Sequence, residues 1–221
     1  MLVFDPKDPF PLLSATEQDY RLEKAHSAQV DAWLGFNTAE IESSVGKLHE
    51  QENWSGLPIQ ALMTPYTEIR FILNELAPRA GESLIDLGAA YGRMGFVIAR
   101  HYRELSFQGF ELEPARVEEG RRSLNLFLTS QPKVQVELQV ADLESASFRM
   151  PTAEYYFIYD FGTRRAIEKT LEDLRLVAIQ RSLTVVGRGR RVRDLIERGQ
   201  PWLSQVAVPR HFERFSIYRS R

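Results

Sequence analysis

The segment that most constrains the fold of this chain runs from residue 83 to residue 102. A short apolar stretch, Ser83–Leu87, ends at Gly88 and passes through small residues into a run with helical periodicity over Tyr91–Tyr102. Small residues in such a turn allow the backbone to bend sharply and bring the helix back against the sheet. The segment therefore predicts a buried strand, a tight turn and a crossover helix, which together form the unit of an α/β fold.

Strand and helix patterns alternate along the rest of the chain. Apolar runs predict strands at residues 83–88, 107–111, 134–140, 155–159 and 183–187, and helical periodicity predicts helices at 65–76, 91–102, 114–128, 166–178 and 192–198. Two short runs, 206–208 and 215–218, lie close enough for an antiparallel hairpin. We therefore predict an α/β fold with a doubly wound, mostly parallel, seven-stranded sheet and an antiparallel C-terminal strand.

Residues 1–60 are predicted to form an acidic helical N-terminal extension, and residues 61–221 to form the sheet domain. The extension carries ten acidic and four basic side chains. Ser14 and Glu17 have the spacing of a capping box, which predicts a helix that runs to about Leu34. Leu22, Ala25, Gln29 and Trp33 are predicted to lie roughly on one stripe of this first helix. We expect the extension to cover the site or to select the substrate, and its acidic character would suit a basic protein segment.

Composition excludes several classes of site. The chain has no cysteine, and its four histidines are far apart in sequence, so no metal site is predicted. No apolar run is long enough to cross a membrane. The N-terminal MLVFDPKDPFPLLS contains acids and prolines where a signal peptide has basic and apolar residues, so a cytoplasmic location is expected.

Two carboxylates at predicted strand ends indicate the charge of the ligand. Asp86 precedes the Gly88 turn, and Glu111 ends the next strand, where an acid can bind ribose hydroxyls. A dinucleotide would place its pyrophosphate at this helix N-terminus, close to Asp86, which would repel it. A phosphate-free ligand with positive charge fits better. The chain also lacks a clear tyrosine–lysine catalytic pair at helical spacing.

Four segments in order resemble the motifs of the class I, seven-strand, Rossmann-like S-adenosylmethionine-dependent methyltransferases. They are Asp86–Gly92 (DLGAAYG), Gly109–Pro114 (GFELEP), Gln139–Leu143 (QVADL) and Tyr156–Asp160 (YFIYD). The similarity extends over roughly residues 64–221. It implies a methyltransferase with S-adenosyl-L-methionine as cofactor.

The resemblance also implies roles for individual residues. Asp86 and the turn that contains Gly88, Ala89, Tyr91 and Gly92 would hold the methionine part of the cofactor. Glu111 would bind the ribose, and Leu112 would lie against the adenine. Asp142 and the backbone of Leu143 would read the adenine edge.

The acceptor side is less defined by the sequence. Asp160 is the main candidate for contacting the acceptor or the amine of the donor, and Tyr66 and Thr163 are candidates for lining the acceptor pocket. Methyltransferases that act on exocyclic amino groups of bases show Asn or Asp, two prolines and an aromatic residue in the fourth-strand motif. This chain has Asp160-Phe161-Gly162-Thr163 instead, which argues against such chemistry. The segment at Thr64–Ile69 is vaguely similar to non-SET lysine methyltransferases.

These patterns favour a protein lysine or a small molecule as the methyl acceptor, and make RNA less favoured. The main sequence argument for nucleic acid is the basic run Arg188–Arg193, although such a run is more often a solvated helix start. Two alternatives stay open: a binding module that kept the fold without catalysis, and an NAD(P)-dependent oxidoreductase on a similar sheet. The sequence does not indicate an oligomeric state.

Overall fold

Seven strands form one sheet in the part of the chain described by the structure, a computed structural model that covers residues 2–49, 62–129 and 134–220. The strands are β1 (Ser83–Leu87), β2 (Ser106–Glu111), β3 (Val136–Val140), β4 (Tyr155–Tyr159), β5 (Thr184–Arg188), β6 (Arg210–His211) and β7 (Phe215–Arg219). The helices are α1 (Tyr20–Trp33), α2 (Thr38–His49), α3 (Tyr66–Leu76), α4 (Arg93–His101), α5 (Pro114–Leu128), α6 (Arg164–Gln180) and α7 (Arg190–Gly199).

The strand order is β3-β2-β1-β4-β5-β7-β6. β1 to β5 are parallel, whereas β7 runs antiparallel to β5 and β6 antiparallel to β7. The predicted doubly wound sheet with a reversed C-terminal strand is therefore confirmed. The chain builds outward from β1 to β3 and then returns to place β4 on the other side of β1. This reversal opens a crevice at the carboxyl ends of β1 and β4, where ligands of such sheets bind.

Helices cover both faces of the sheet, as its buried strands require. On one face α3, α4 and α5 contribute Leu73, Phe96 and Leu124 to a core that also contains Phe107 of β2. On the other face α6 and α7 pack against β4 and β5. Phe10 belongs to the first of these cores and is fully buried. The N-terminal extension therefore shares the hydrophobic core of the sheet domain; its residues 50–60 lie outside the described part.

Two predicted boundaries were wrong. The strand predicted at 206–208 is absent, and β6 forms at 210–211 instead. Val206 and Val208 are 64% and 88% exposed, so their alternating spacing does not reflect a buried face of a strand. Helix α1 begins at Tyr20 and not near Ser14, because the Asp19 carboxylate accepts the backbone N–H of Leu22 (3.1 Å) and caps the helix there. The bond from Ser14 Oγ to Glu17 (2.6 Å) closes only an isolated turn.

The stripe predicted on α1 is not the buried side of this helix. Leu22 and Trp33 are 43% and 42% exposed, whereas the buried side is mostly polar. It consists of Glu23, His26, Ser27, Val30 and Asp31. A hydrophobic pattern could not reveal this face, because its partners are charged groups distant in sequence.

Those partners form a buried ion network between α1, α3 and the sheet. The Glu68 carboxylate accepts hydrogen bonds from Nε and Nη2 of Arg188, both at 2.8 Å, and these residues are 0% and 3% exposed. Glu23 accepts from Thr67 Oγ1 and from Arg214, each at 2.8 Å. Each of these buried charges has a partner, as burial in a protein interior demands.

A second part of the network joins α1 to the start of α4. The Tyr66 hydroxyl donates to Asp31 (2.8 Å), and Asp31 also forms an ion pair with Arg93. The Arg93 guanidinium lies 5.0 Å from the centre of the Tyr66 ring. Helix α1 is thus attached to α4 by charges as well as by apolar packing. Among the residues described, no helix is long and apolar enough to cross a membrane.

Candidate functional site

A cavity of about 1440 Å³ lies at the carboxyl ends of β1, β2 and β4, at the crevice created by the strand order. Its wall includes eight of the nine residues predicted to bind the cofactor. They are Asp86, Gly88, Ala89, Tyr91, Glu111, Leu112, Asp142 and Leu143. Segments far apart in sequence therefore meet at one site because their strands are neighbours in the sheet.

The turn between β1 and α4 forms the floor of this site. Gly88 has a φ of 95° and Gly92 a φ of 74°, in the left-handed region that favours glycine. A Cβ on Gly88 would lie 2.6 Å from Cβ of Phe161, and one on Gly92 would lie 2.6 Å from a methyl group of Leu138. The glycines thus allow the turn to pack against neighbouring side chains, and Gly92 lies behind the cavity wall.

Two buried acids face the cavity beside this turn. Asp86 and Glu111 are 6% and 7% exposed. Glu111 accepts hydrogen bonds from the backbone N–H of Ala90 (2.9 Å) and of Glu113 (3.1 Å). Burial and the neighbouring Glu111 carboxylate raise the pKa of Asp86 to about 8. Within the described part of the chain no cation lies within ion-pair distance of Asp86, so this end of the cavity attracts positive charge.

The opposite end of the cavity lies beside β3. Leu112 is 50% exposed on the wall, and Leu143 is buried. The Asp142 carboxylate accepts the backbone N–H of Glu144 (2.9 Å), which fixes the turn after β3. The backbone N–H of Ala141 donates to Glu111 O (2.8 Å) and holds this turn next to β2. An exposed apolar side chain beside a turn with polar groups is suited to a planar heterocycle.

Helix α2 of the extension forms another wall, and it contributes Glu42, a residue that sequence reasoning missed. Glu42 accepts hydrogen bonds from the Tyr91 hydroxyl (2.6 Å) and from Nε and Nη2 of Arg116 (3.0 Å each). Arg116 also donates to Glu111 through Nη1 (3.2 Å). No motif identifies Glu42, because its role depends on a contact between α2 and α5 that spans 74 residues.

The three residues predicted for the acceptor side have different positions. Thr163 lines the cavity, and its Oγ1 accepts the backbone N–H of Ala166 (3.0 Å) as the cap of α6. Tyr66 is fully buried outside the cavity wall, in its bond with Asp31. Asp160 also lies outside the wall.

The carboxylate of Asp160 points to the start of α7. It accepts the backbone N–H of Val192 (2.8 Å), and burial raises its pKa. The residue before it, Tyr159, lines the cavity instead. Successive side chains of a strand point to opposite faces, so the alternation along β4 was a signal that could have distinguished Tyr159 from Asp160.

Aromatic and apolar side chains surround the carboxyl end of β4 within the cavity. They are Ile69, Met94, Phe157, Tyr159 and Phe161. The Arg188 guanidinium lies 3.9 Å from the centre of the Tyr159 ring and holds it against the wall. This region can exclude water from a reacting group, and it adjoins Asp86, whose register partner in β4 is Phe157.

Two of the four arginines in the basic run Arg188–Arg193 make internal contacts. Arg188 is buried in its pair with Glu68, and Arg193 donates to the backbone oxygens of Gly189 (3.1 Å) and Phe212 (3.3 Å). The Arg190 side chain is 89% exposed. Half of the arginines in the run therefore serve the β5–α7 connection. As for metals, no group of three or more potential ligands is found in residues 2–49, 62–129 and 134–220.

Comparisons with known proteins gave matches at the level of structure. No family model matches the chain, and no curated protein sequence matches it significantly. An RNA methyltransferase from Salinibacter ruber, in complex with S-adenosyl-L-homocysteine, aligns over 71% of this chain and 91% of its own, with 18% identity and a TM-score of 0.48. A TehB-like SAM-dependent methyltransferase from Corynebacterium glutamicum aligns over 83% and 98%, with 14% identity and a TM-score of 0.48.

A third similar structure is the magnesium protoporphyrin IX methyltransferase from Synechocystis with bound SAM. It aligns over 69% of this chain and 75% of its own, with 13% identity and a TM-score of 0.47. These neighbours are class I SAM-dependent methyltransferases, the family that the sequence motifs resemble. At these identities the similarity concerns the fold.

Proposed function

We propose that this protein is a methyltransferase that uses S-adenosylmethionine as its methyl donor. The observation that carries the proposal is Asp86, a buried carboxylate that faces the cavity without a cationic partner in the described chain. An opposite charge brought next to such a group stabilises its ionised form. The donor has an ammonium and a sulfonium and no phosphate, whereas a dinucleotide would bring a pyrophosphate to the same turn. The charge of this site therefore favours the methyl donor over NAD(P).

The remaining wall residues fit the other parts of the donor. Asp86 and the turn at 88–92 would hold the methionine portion. Glu111 has three hydrogen-bond donors among its neighbours, and an ionised carboxylate has about four acceptor positions, so it retains capacity for a ribose hydroxyl. Leu112, with Asp142 and Leu143, would contact the adenine.

The residues around β4 have the second task, which is to place the acceptor. When bound, S-adenosylmethionine would supply an electrophilic methyl group, which the acceptor would attack in line with the C–S bond, with S-adenosylhomocysteine as the leaving group. Phe157, Tyr159 and Phe161 exclude water at this end of the cavity and restrict how an acceptor can approach. Correct placement alone can supply about 7–11 kcal/mol of the barrier reduction. Thr163 and Arg165 lie at the edge of this region and supply polar contacts.

We propose a small molecule or a protein side chain such as lysine as the acceptor, in preference to RNA. The aromatic wall suits a group inserted into the cavity, and two of the four arginines in the basic run that suggested nucleic acid are used inside the fold. The extension would help to select the acceptor, because Ala39, Ser43 and Val45 of α2 line the cavity.

Binding of S-adenosylmethionine, S-adenosylhomocysteine and NADH, measured by calorimetry, tests the donor. We expect the first two to bind and NADH not to bind. Transfer of tritiated methyl groups from the donor into fractionated lysate then tests catalysis, and digestion with protease or ribonuclease identifies the acceptor class. Donor binding without any transfer would favour a binding module. Label in RNA, with binding that falls steeply with salt and is lost in Arg190→Ala/Arg191→Ala, would contradict our choice of acceptor.

Replacing Glu111 by glutamine is expected to weaken donor binding by roughly 10- to 100-fold, since hydrogen bonds to charged groups contribute about 1.5–3 kcal/mol each. Calorimetry on the purified variant measures the change. Glu118→Gln is the matched control, because Glu118 is an exposed residue of α5 outside the cavity wall. Equal donor affinity in Glu111→Gln and wild type would contradict the assigned role.

Replacing Tyr159 is expected to separate transfer from donor binding. Tyr159→Ala removes part of the wall around the reacting group, so tritium transfer should fall by about tenfold or more while donor affinity changes less than twofold. Tyr159→Phe keeps the ring and should retain most of the transfer. Equal losses of transfer and donor affinity in Tyr159→Ala would show that this residue belongs to the donor side.

A further inference from the structure

We infer that Glu42 of the N-terminal extension is a positioning residue of the donor site, which acts through Arg116 on Glu111. The inference rests on the proposed function, in which Glu111 binds the donor ribose. It extends that function by making the extension part of the donor site in addition to its contribution to acceptor selection.

The contact geometry forms a continuous chain of charges. Arg116 directs Nε and Nη2 to the two carboxylate oxygens of Glu42, at 3.0 Å each, and only Nη1 reaches Glu111, at 3.2 Å. The three side chains are 15%, 11% and 8% exposed, so solvent screens these interactions little. A planar guanidinium engaged on two edges has a fixed orientation.

This arrangement determines how Arg116 contacts Glu111. With Glu42 in place, Arg116 forms its bidentate pair with Glu42 of α2. One carboxylate oxygen of Glu111 then still accepts the backbone N–H of Ala90. Without Glu42, the guanidinium is free to turn and take Glu111 as its bidentate partner. Glu111 would then be drawn away from Ala90 and would lose the acceptor position available to a ribose hydroxyl.

Helix α2 packs directly on the donor turn, so the contact is not an isolated surface pair. The Tyr91 hydroxyl donates to Glu42 (2.6 Å), and Ile41 packs against the cluster of Met63, Ala90 and Tyr91. A change in the position of α2 is therefore transmitted to the turn, and donor binding must affect α2 to the same degree in free energy.

The chain also contains a matched control on the same pair of helices. The backbone N–H of Asn37, at the start of α2, donates to Glu119 of α5 (2.8 Å), and Arg122 donates to Gly35 O (2.5 Å). These contacts anchor α2 on α5 without touching Glu111. Glu119→Gln therefore loosens α2 but leaves the Glu42–Arg116–Glu111 chain intact.

The binding experiment uses the full chain and S-adenosylmethionine. Glu42→Gln and Arg116→Gln are each expected to lower donor affinity by about tenfold, and the double variant by no more than either alone, because both break one chain of contacts. Glu119→Gln should change affinity less than twofold. Additive losses of donor affinity in the double variant would overturn the inference. So would a loss of affinity in Glu119→Gln as large as that in Glu42→Gln.

Hydrogen exchange of the ligand-free protein gives an independent readout. Glu42→Gln should speed exchange of the Ala90 amide by about tenfold, whereas Glu119→Gln should leave it unchanged. Unchanged Ala90 exchange in Glu42→Gln would refute the positioning role even if donor binding were confirmed. If the wild type failed to bind S-adenosylmethionine, the proposed function would fall, and faster Ala90 exchange would still support the contact chain.

Discussion

Replacing Asp86 with asparagine is expected to stabilise the ligand-free protein and to remove most of its affinity for S-adenosylmethionine. Burial and the Glu111 carboxylate raise the pKa of Asp86 to about 8, whereas an aspartate in an unfolded chain titrates near ~3.9. Between these two values the folded protein holds a proton that the unfolded chain has released. The contribution of Asp86 to stability therefore falls as pH rises, until the carboxyl ionises in the folded protein at about pH 8.

Asparagine has no such titration, so the free energy of unfolding that Asp86→Asn gains over the wild type should grow from pH 4 to pH 8. Each pKa unit corresponds to about 1.36 kcal/mol. At pH 7 the variant should therefore be more stable than the wild type by a few kcal/mol, and its Tm should be higher by about 4 °C or more. Thermal melts at pH 4 and pH 7 measure it. Asp194→Asn is the control, because this aspartate lies outside the cavity.

Donor affinity should change in the opposite direction. A cationic ligand selects the ionised Asp86, so affinity in the wild type should rise by up to about tenfold per pH unit towards pH 8 and then level off. Asp86→Asn should bind about 100-fold more weakly at pH 8 and lose that part of the pH dependence. The donor's own titration is common to both proteins, so their difference isolates Asp86. A less stable variant, or one with wild-type affinity, would contradict the role assigned to this acid.

Loss of the Glu68 carboxylate is expected to have the largest effect on stability. Glu68→Gln leaves the buried Arg188 without its bidentate partner and also removes the nearby partner of Arg214. Breaking a buried ion pair from one side costs about 3–5 kcal/mol. The lost free energy of unfolding should be visible in urea titrations and as a fall in Tm of about 6 °C or more.

A second variant distinguishes the lost pair from general damage to the core. Glu68→Gln/Arg188→Met removes the uncompensated charge and fills its place with an apolar side chain, so it should recover most of the stability. Arg164→Gln/Glu168→Gln removes an exposed pair on α6 and should change stability by less than about 1 kcal/mol. If the double variant at 68 and 188 were no more stable than Glu68→Gln, the lost ion pair would not be the cause of the lower stability.

Periodicity in the sequence was sufficient for the sheet domain. The strands at β1 and β4 and the helix α5 have the predicted positions within a residue or two, because their apolar spacing reflects burial on both faces of a parallel sheet. Two of the motif acids also face one cavity. Asp86 and Glu111 end adjacent parallel strands, and such strands bring their carboxyl ends to one edge.

Local pattern was misleading where a side chain's surroundings depend on distant charges. The apolar stripe predicted for α1 is partly exposed, while Glu23 and Asp31 are buried. Their burial is possible only because Arg214 and Arg93 reach them from other elements. Asp160 was assigned to the acceptor side, and the structure directs its carboxylate to the backbone of Val192 instead.

The sequence alone thus determined the order of strands and helices, the glycine turn and the pair of strand-end acids, because each depends on residues close together along the chain. The tertiary structure alone decided which part of the extension lines the cavity, that Glu42 and Glu111 share Arg116, and that two of the four arginines in the basic run are internal. Ion pairs and cavity walls are made by residues tens of positions apart, and their energy depends on burial, which appears only when the sheet is assembled.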